Sequence, residues 1–322
     1  MLKKKIYFIL ILVAYVSLAL WTIFTSPHPH VDTVVVFKEA PLMFLQGKNP
    51  YNSMFSQVYA GIKPDYYNHL PFSFIFYIPF VLLPIDQRIA LIVITSLSFL
   101  FLYKLIRPSL RQDSLLPLSL VLFMPGSFYM LEHMYHETII FFFFTLAVFT
   151  FSFSQKGFYF FISLFFSIKQ NILLMFPLYL KKVVWKNKNW IFLFSPFLLI
   201  IFFLIWNPKA FLEDTLMGIS PNKVTSPIQM SLALATFMTH AFSHMNKQVI
   251  YTFCTVFFLI YYALILISKF LTNSQKMIFI TFGVYFFSYY GFFNSYYLVL
   301  LFLLYDYLKT YFFPKNLKHK LP

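Results

Sequence analysis

Long apolar runs recur from one end of this chain to the other, and they leave little choice of fold. Eight of them, residues 6–24, 87–106, 114–131, 136–154, 190–206, 248–268, 276–292 and 295–312, are 17 to 21 residues long and end at charged, Pro or Asn residues. A helix needs roughly 20 apolar residues to cross a hydrocarbon core of about 30 Å. Hydrophobic residues make up 60% of the chain and charged ones 11%, too few to cover a water-facing surface. The expected fold is therefore all-α: a polytopic membrane bundle of about eight spans, forming one domain over residues 1–322. No Gly/Ser-rich linker suggests a second domain.

The net charge of +15 does not indicate nucleic-acid binding, because Lys and Arg lie in short flanks between apolar runs rather than in one face or tail. A single cysteine, Cys254, falls inside an apolar run and excludes a disulfide framework. The start, "MLKKKIYFILILVAYVSLALWTIF", has a basic head like a signal peptide, but its apolar part is long and lacks a small-x-small cleavage site. It reads as a retained anchor.

Two apolar stretches do not fit a simple crossing. "PFSFIFYIPFVLLP", 71–84, is too short and carries three prolines, so it is expected as a juxtamembrane segment. Residues 157–180 have Lys169 and Gln170 at their middle. The excess of basic residues in cytoplasmic loops favours a re-entrant hairpin there, which places 17 of the 25 basic residues inside and both termini in the cytoplasm. Eight of the ten acids then fall outside, on an outer loop at 25–86, a second one at 207–247 and nearby span ends. Acids do little to set orientation, so this asymmetry points to chemistry on the outer face.

Asp32 follows the first span closely and sits near the membrane surface. A partly desolvated carboxylate there can act as a general base for a hydroxyl; it can equally cap the helix that begins beside it. Glu39 is seven residues on, within about 20° of the same helix face. Arg88, beside Asp86, suits bidentate phosphate binding or simple interfacial anchoring. An unpaired Lys169 in the bilayer would be costly, so it should face a cavity or a partner. In "LEHMYHET", 131–138, Glu132 with His136 and His133 with Glu137 are spaced as helical i, i+4 pairs. Neither this cluster nor "HPHVD", 28–32, has a convincing metal-ligand pattern, and no metal or cofactor is expected. His240 and His244 are expected to share a helix face.

The order Asp32, a helix of about 14 residues, "GKNPY" at 47–51, and "YNHLPF" at 67–72 resembles the membrane-embedded GT-C glycosyltransferases. The closest resemblance is to the family 87 and alpha-mannosyltransferase branch, which uses polyprenyl-phosphate sugars. "SIKQNILLMFPLYL", "SPIQMSLALATF" and "FNSYYLVLLFLL" extend the likeness, and His69-Leu70 and His136-Glu137 depart from the family pattern. The resemblance implies a hexosyltransferase of the bacterial plasma membrane, with a polyprenyl-phosphate sugar as donor and a glycan or glycolipid as acceptor. It implies Asp32 as the base, with Arg88 and Lys169 facing the leaving phosphate. Glu39 would orient the acceptor or tune Asp32, and the 131–138 cluster, Glu137 with it, would cap two spans at the surface or line the acceptor entrance. Tyr67, His69, Tyr296 and Tyr297 would contact the sugar or donor. The rival is a transporter or lipid-linked sugar flippase, which should show repeated halves; none is evident.

Overall fold

The computed structural model describes residues 2–29, 31–58, 67–83, 85–106, 114–180, 191–194, 197–217, 231–288 and 291–315, with side chains from Lys5 onward. Asp65, the basic stretch 181–190, residues 218–230 and the tail 316–322 lie outside the described residues. The secondary structure of the described residues is all helical, with no strand among them.

Helix α1 (Leu2–Thr25) leads through a short link into α2 (Asp32–Leu45), which ends where Gly47 turns the chain at φ +75°. After a 3₁₀ turn (Pro50–Asn52), α3 (Phe72–Ile75) and α4 (Ile78–Val81) are single turns, as the prolines of 71–84 dictate. Asp86 starts α5 (Arg88–Ile106) by accepting the Arg88 N–H at 2.9 Å. A left-handed Gly126, φ +92°, separates α6 (Leu115–Phe123) from α7 (Ser127–Glu132). Met134 at φ +54° then breaks the chain before α8 (Glu137–Phe151).

Helix α9 (Gln155–Phe166) is capped by Ser154, packs along α8 and ends at Ser167. Past Lys169 the chain continues as a 3₁₀ segment (Gln170–Met175) and α10 (Phe176–Leu180). It doubles back here: the Tyr179 ring lies 5.5 Å from Phe166 and 6.4 Å from Phe158, and its hydroxyl donates to Met277 Sδ. Lys169 thus sits at the tip of a hairpin whose two arms run side by side.

Short helices α11 (Ile191–Phe194), α12 (Phe197–Trp206), α13 (Pro208–Leu212) and α14 (Leu234–Ala241) precede three long ones. These are α15 (Lys247–Ile267), α16 (Asn273–Phe287), which opens on a Thr272/Gln275 capping box, and α17 (Phe293–Phe312), which ends before Pro314.

Four helical segments among the described residues are long and apolar enough to cross a membrane: Lys5–Thr25, Arg88–Ile106, Leu115–Glu132 and Lys247–Ile267. That is fewer than the eight apolar runs. The helices α8 and α16 stop at 15 residues each, while α17 is long enough but diluted by Asn294, five tyrosines and Asp306. A continuous core holds α1, α2, α5, α6, α8, α9, α16 and α17 together, with many ring contacts, such as Phe144 on Tyr305 at 4.7 Å. By contrast α1 and α15 bury little of their apolar length, leaving Leu10, Trp21, Phe24, Phe253, Leu259 and Leu264 exposed. Apolar surface of that extent is compatible with a multi-pass membrane protein.

Candidate functional site

A cavity of about 390 Å³ opens where several helix ends meet. Its lining comes from six segments: the start of α2 (Asp32, Thr33), the stretch before α3 (Asn68, His69), the α7–α8 link (Tyr135, His136), the hairpin tip (Lys169, Gln170, Asn171), the end of α16 (Val284, Tyr285, Ser288) and the start of α17 (Phe292, Asn294, Ser295). The volume falls within the range of small-molecule sites.

Asp32 is the first residue of α2; Val31 is the N-cap and offers no side-chain bond, while Asp32 Oδ1 accepts the Thr33 N–H at 2.8 Å. The carboxylate keeps contact with solvent at the cavity mouth, with protein around it on the other sides. Burial by that surrounding protein pushes its carboxyl above the ordinary aspartate value, against the bond from Thr33, which lowers it. Its bonds to the backbone at the start of α2 leave lone pairs free for base chemistry.

The Lys169 ammonium lies 3.3 Å from Glu137 Oε1 and 5.4 Å from the centre of the Tyr285 ring. Glu137 is fully buried at the first turn of α8, where the helix N-terminus also favours a negative charge. Beside the pair, His136 Nε2 is 3.6 Å from Glu137 Oε1, and the His136 and His69 rings are 4.2 Å apart. His69 stacks on Phe37 at 5.3 Å. Burial pulls the His69 imidazole well below its ordinary value, and the Lys169 charge pulls the same way, so His69 is neutral. Gln170 donates from its amide to the carbonyls of Asn68 (3.0 Å) and Thr215 (2.9 Å), which fixes the hairpin tip against two other segments.

The other expected residues have other places. Arg88 is fully buried, forks onto Asp86 at 2.9 and 2.7 Å, and donates to the Ser26 carbonyl at 2.7 Å. It ties the end of α1 to the start of α5 and is absent from the cavity lining, so its guanidinium is not placed to meet a phosphate there. Glu39 accepts the Ser56 N–H at 2.9 Å. It shares a face with Asp32 but lies about 10 Å further along the axis, at the rise of an α-helix, and does not line the cavity. Tyr67 is buried, shares a hydrogen bond with Ser73 Oγ and gives its N–H to Asp214. Tyr296 donates to the Leu232 carbonyl, and Tyr297 pairs with Ser127 Oγ; their neighbours Asn294 and Ser295 line the cavity instead.

The two i, i+4 pairs of "LEHMYHET" do not form, because the turn at Met134 interrupts the helix; Glu132 faces His133 and Glu137 faces His136. Nor do His240 and His244 share a helix, since α14 ends at Ala241. No cluster of three or more His, Cys, Asp or Glu suited to a metal occurs among the described residues.

Asn68, Asn171 and Tyr285 were not singled out for the site, whereas Tyr135 and His136 belong to the 131–138 cluster expected at span ends or at the entrance. For Asn68, His136 and Asn171 the sequence signal is an amide or imidazole beside an apolar stretch, as in "YNHL", "YHE" and "KQN". Neither a protein-family model nor a curated protein sequence matches the chain.

Proposed function

We propose that the protein is a multi-span membrane glycosyltransferase that moves one sugar from a polyprenyl-phosphate donor to an acceptor hydroxyl on the extracytoplasmic face. The observation that carries this reading is that Asp32 and Lys169, 137 residues apart in the chain, line one cavity. One supplies a carboxylate with raised proton affinity at the mouth. The other supplies a cation further in.

In the proposed reaction the acceptor oxygen attacks the anomeric carbon while Asp32 takes its proton. The bond from that carbon to the phosphate oxygen breaks, the electron pair leaves with the phosphate, and Lys169 offsets the charge that develops. A single displacement of this kind inverts the anomeric carbon. The remaining short apolar helices pair up as further crossings in this reading, giving about eight spans, and the hairpin enters and leaves from the cytoplasmic side. Support for one common face comes from the cavity itself. It gathers the end of α16 and the starts of α2, α8 and α17.

The test is Asp32→Asn assayed in membranes with a radiolabelled polyprenyl-phosphate sugar. Normal insertion with transfer abolished is expected; full transfer would remove Asp32 as the base. A flippase is the second reading, favoured by the buried Lys169–Glu137 pair, because charge pairs inside membranes mark substrate pathways. It predicts lipid movement without a new glycosidic product, and the same assay separates the two.

A further inference from the structure

Residues 67–70 bring Asn68 and His69 to the cavity, yet they belong to no helix and no strand. Backbone outside regular structure has to find its hydrogen-bond partners elsewhere. Here the partners come from three distant parts of the chain. The Tyr67 N–H donates to Asp214 Oδ2 at 2.7 Å, and the Asn68 carbonyl accepts from the Gln170 amide at 3.0 Å. The His69 carbonyl accepts from the Tyr51 hydroxyl at 2.8 Å, and the Leu70 N–H donates to the Ile168 carbonyl at 3.1 Å.

Two of these bonds bracket Lys169. Its chain neighbours Ile168 and Gln170 are both tied to 67–70, and Lys169 between them is extended, at φ −144° and ψ 135°. The backbone that carries the ammonium is thus set by the place of 67–70 and not by a helix of its own. Glu137 holds the other end of the side chain. Gln170 also donates to the carbonyl of Thr215, the residue after Asp214. The π-helical turn Glu213–Met217 therefore grips 67–70 through Asp214 and the hairpin tip through Thr215.

Asp214 is buried but does not line the cavity, so it acts there through the residues it holds. A carboxylate is a strong choice for that hold, since its bond from a backbone N–H is charge-assisted and roughly twice as strong as a neutral one. We propose that Asp214 is a positioning residue: by holding Tyr67 it fixes 67–70, and through 67–70 and Gln170 it aims the Lys169 ammonium into the cavity. What that aim does for turnover rests on the glycosyltransferase reading; the placement itself does not.

The experiment compares Asp214→Asn, whose amide oxygen can still accept the Tyr67 N–H, with Asp214→Val, which cannot. Both are full-length proteins in nanodiscs, checked by gel filtration. The first readout needs no substrate. In a Cys254→Ala background, Asn171→Cys puts one thiol at the cavity side of the hairpin tip, and its modification by a charged methanethiosulfonate is timed. Adding Asp214→Val should speed it by about fivefold or more, because a tip released from 67–70 opens locally, whereas Asp214→Asn should stay within about twofold. The second readout is steady-state transfer from a polyprenyl-phosphate sugar, without the added cysteine. Asp214→Val should lower kcat by about tenfold or more with donor KM within about threefold, since a misplaced Lys169 loses charge that develops only in the transition state. Asp214→Asn should keep most of kcat. Equal losses in the two variants would show that the carboxylate acts by its charge and would overturn the proposal. An unchanged labelling rate in Asp214→Val, or a raised KM with kcat intact, would do the same. If Asp214→Val does not give monodisperse protein, Asp214→Asn still decides: native-like labelling and turnover support the role, and loss of either sinks it. If the native protein transfers no sugar, the glycosyltransferase reading falls and the labelling rates alone judge the positioning role.

Discussion

Replacing Arg88 by Met tests the division between scaffold and site most directly. The side chain is fully buried and makes three hydrogen bonds, two to the Asp86 carboxylate and one to the Ser26 carbonyl. Bonds to charged groups are each worth about 1.5–3 kcal/mol net, and removing one partner of a buried pair costs about 3–5 kcal/mol. The Asp86 side chain is 24% exposed, so water recovers part of the loss. Methionine also refills most of the volume.

The expected destabilisation is about 2–3 kcal/mol, or roughly 30- to 150-fold in the unfolding equilibrium. Thermal unfolding in detergent, followed by a thiol-reactive dye, reads it, since Cys254 is buried and is the only thiol. Burial raises the Asp86 carboxyl, but the bonds and charge of Arg88 outweigh it and hold the group below the ordinary aspartate value. A depressed carboxyl stabilises the fold above the unfolded value and stops doing so as pH falls through the folded one. The gap between native and variant protein should therefore be full near neutrality and narrow in acid. Donor-lipid affinity should change little. An unchanged unfolding curve together with lost donor binding would refute the scaffold assignment.

Asp32 has the opposite linkage: its raised carboxyl binds a proton more readily in the folded state, so its ionisation costs stability as pH rises through that window. Asp32→Asn should accordingly be neutral or stabilising in unfolding at pH 7, and transfer by the native protein should fall in acid at a higher pH than an ordinary aspartate would give; a pH–rate profile checks this. Lys169→Met leaves Glu137 buried without its counter-charge and should cost about 3–5 kcal/mol, whereas Lys169→Met with Glu137→Gln should recover most of it. A double-mutant cycle by unfolding measures the coupling, and additive losses would deny the pair. Accessibility tags at positions 184 and 316 should both report the cytoplasmic side; opposite sides would rule out a hairpin that returns to its face of origin.

The long elements were readable because length and hydropathy are enough to mark them: runs 6–24, 87–106 and 248–268 correspond closely to α1, α5 and α15. Run 114–131 was read as one crossing rather than two helices, although Pro125-Gly126 marks the break, where the backbone is extended at Met124 and left-handed at Gly126. In the site, Asp32 and Lys169 stood out as charges beside or within apolar sequence, which is where a charge needs a reason. Glu39 misled because angular position on a helix ignores the distance along its axis. Arg88 was read for phosphate binding or interfacial anchoring, and its fork onto Asp86 and bond to the Ser26 carbonyl depend on an approach of the α1 end that no spacing in the sequence contains. His136 was visible, but its place by His69 depends on a contact across 67 residues that no spacing rule contains.

The cavity wall draws on residues from 32 to 295, so its first contributor leaves the ribosome long before its last. A nascent chain stopped before α17 carries the carboxylate and the cation without a closed chamber around them. The chamber is therefore completed late in synthesis, and whatever it binds can be enclosed only once α17 has been made.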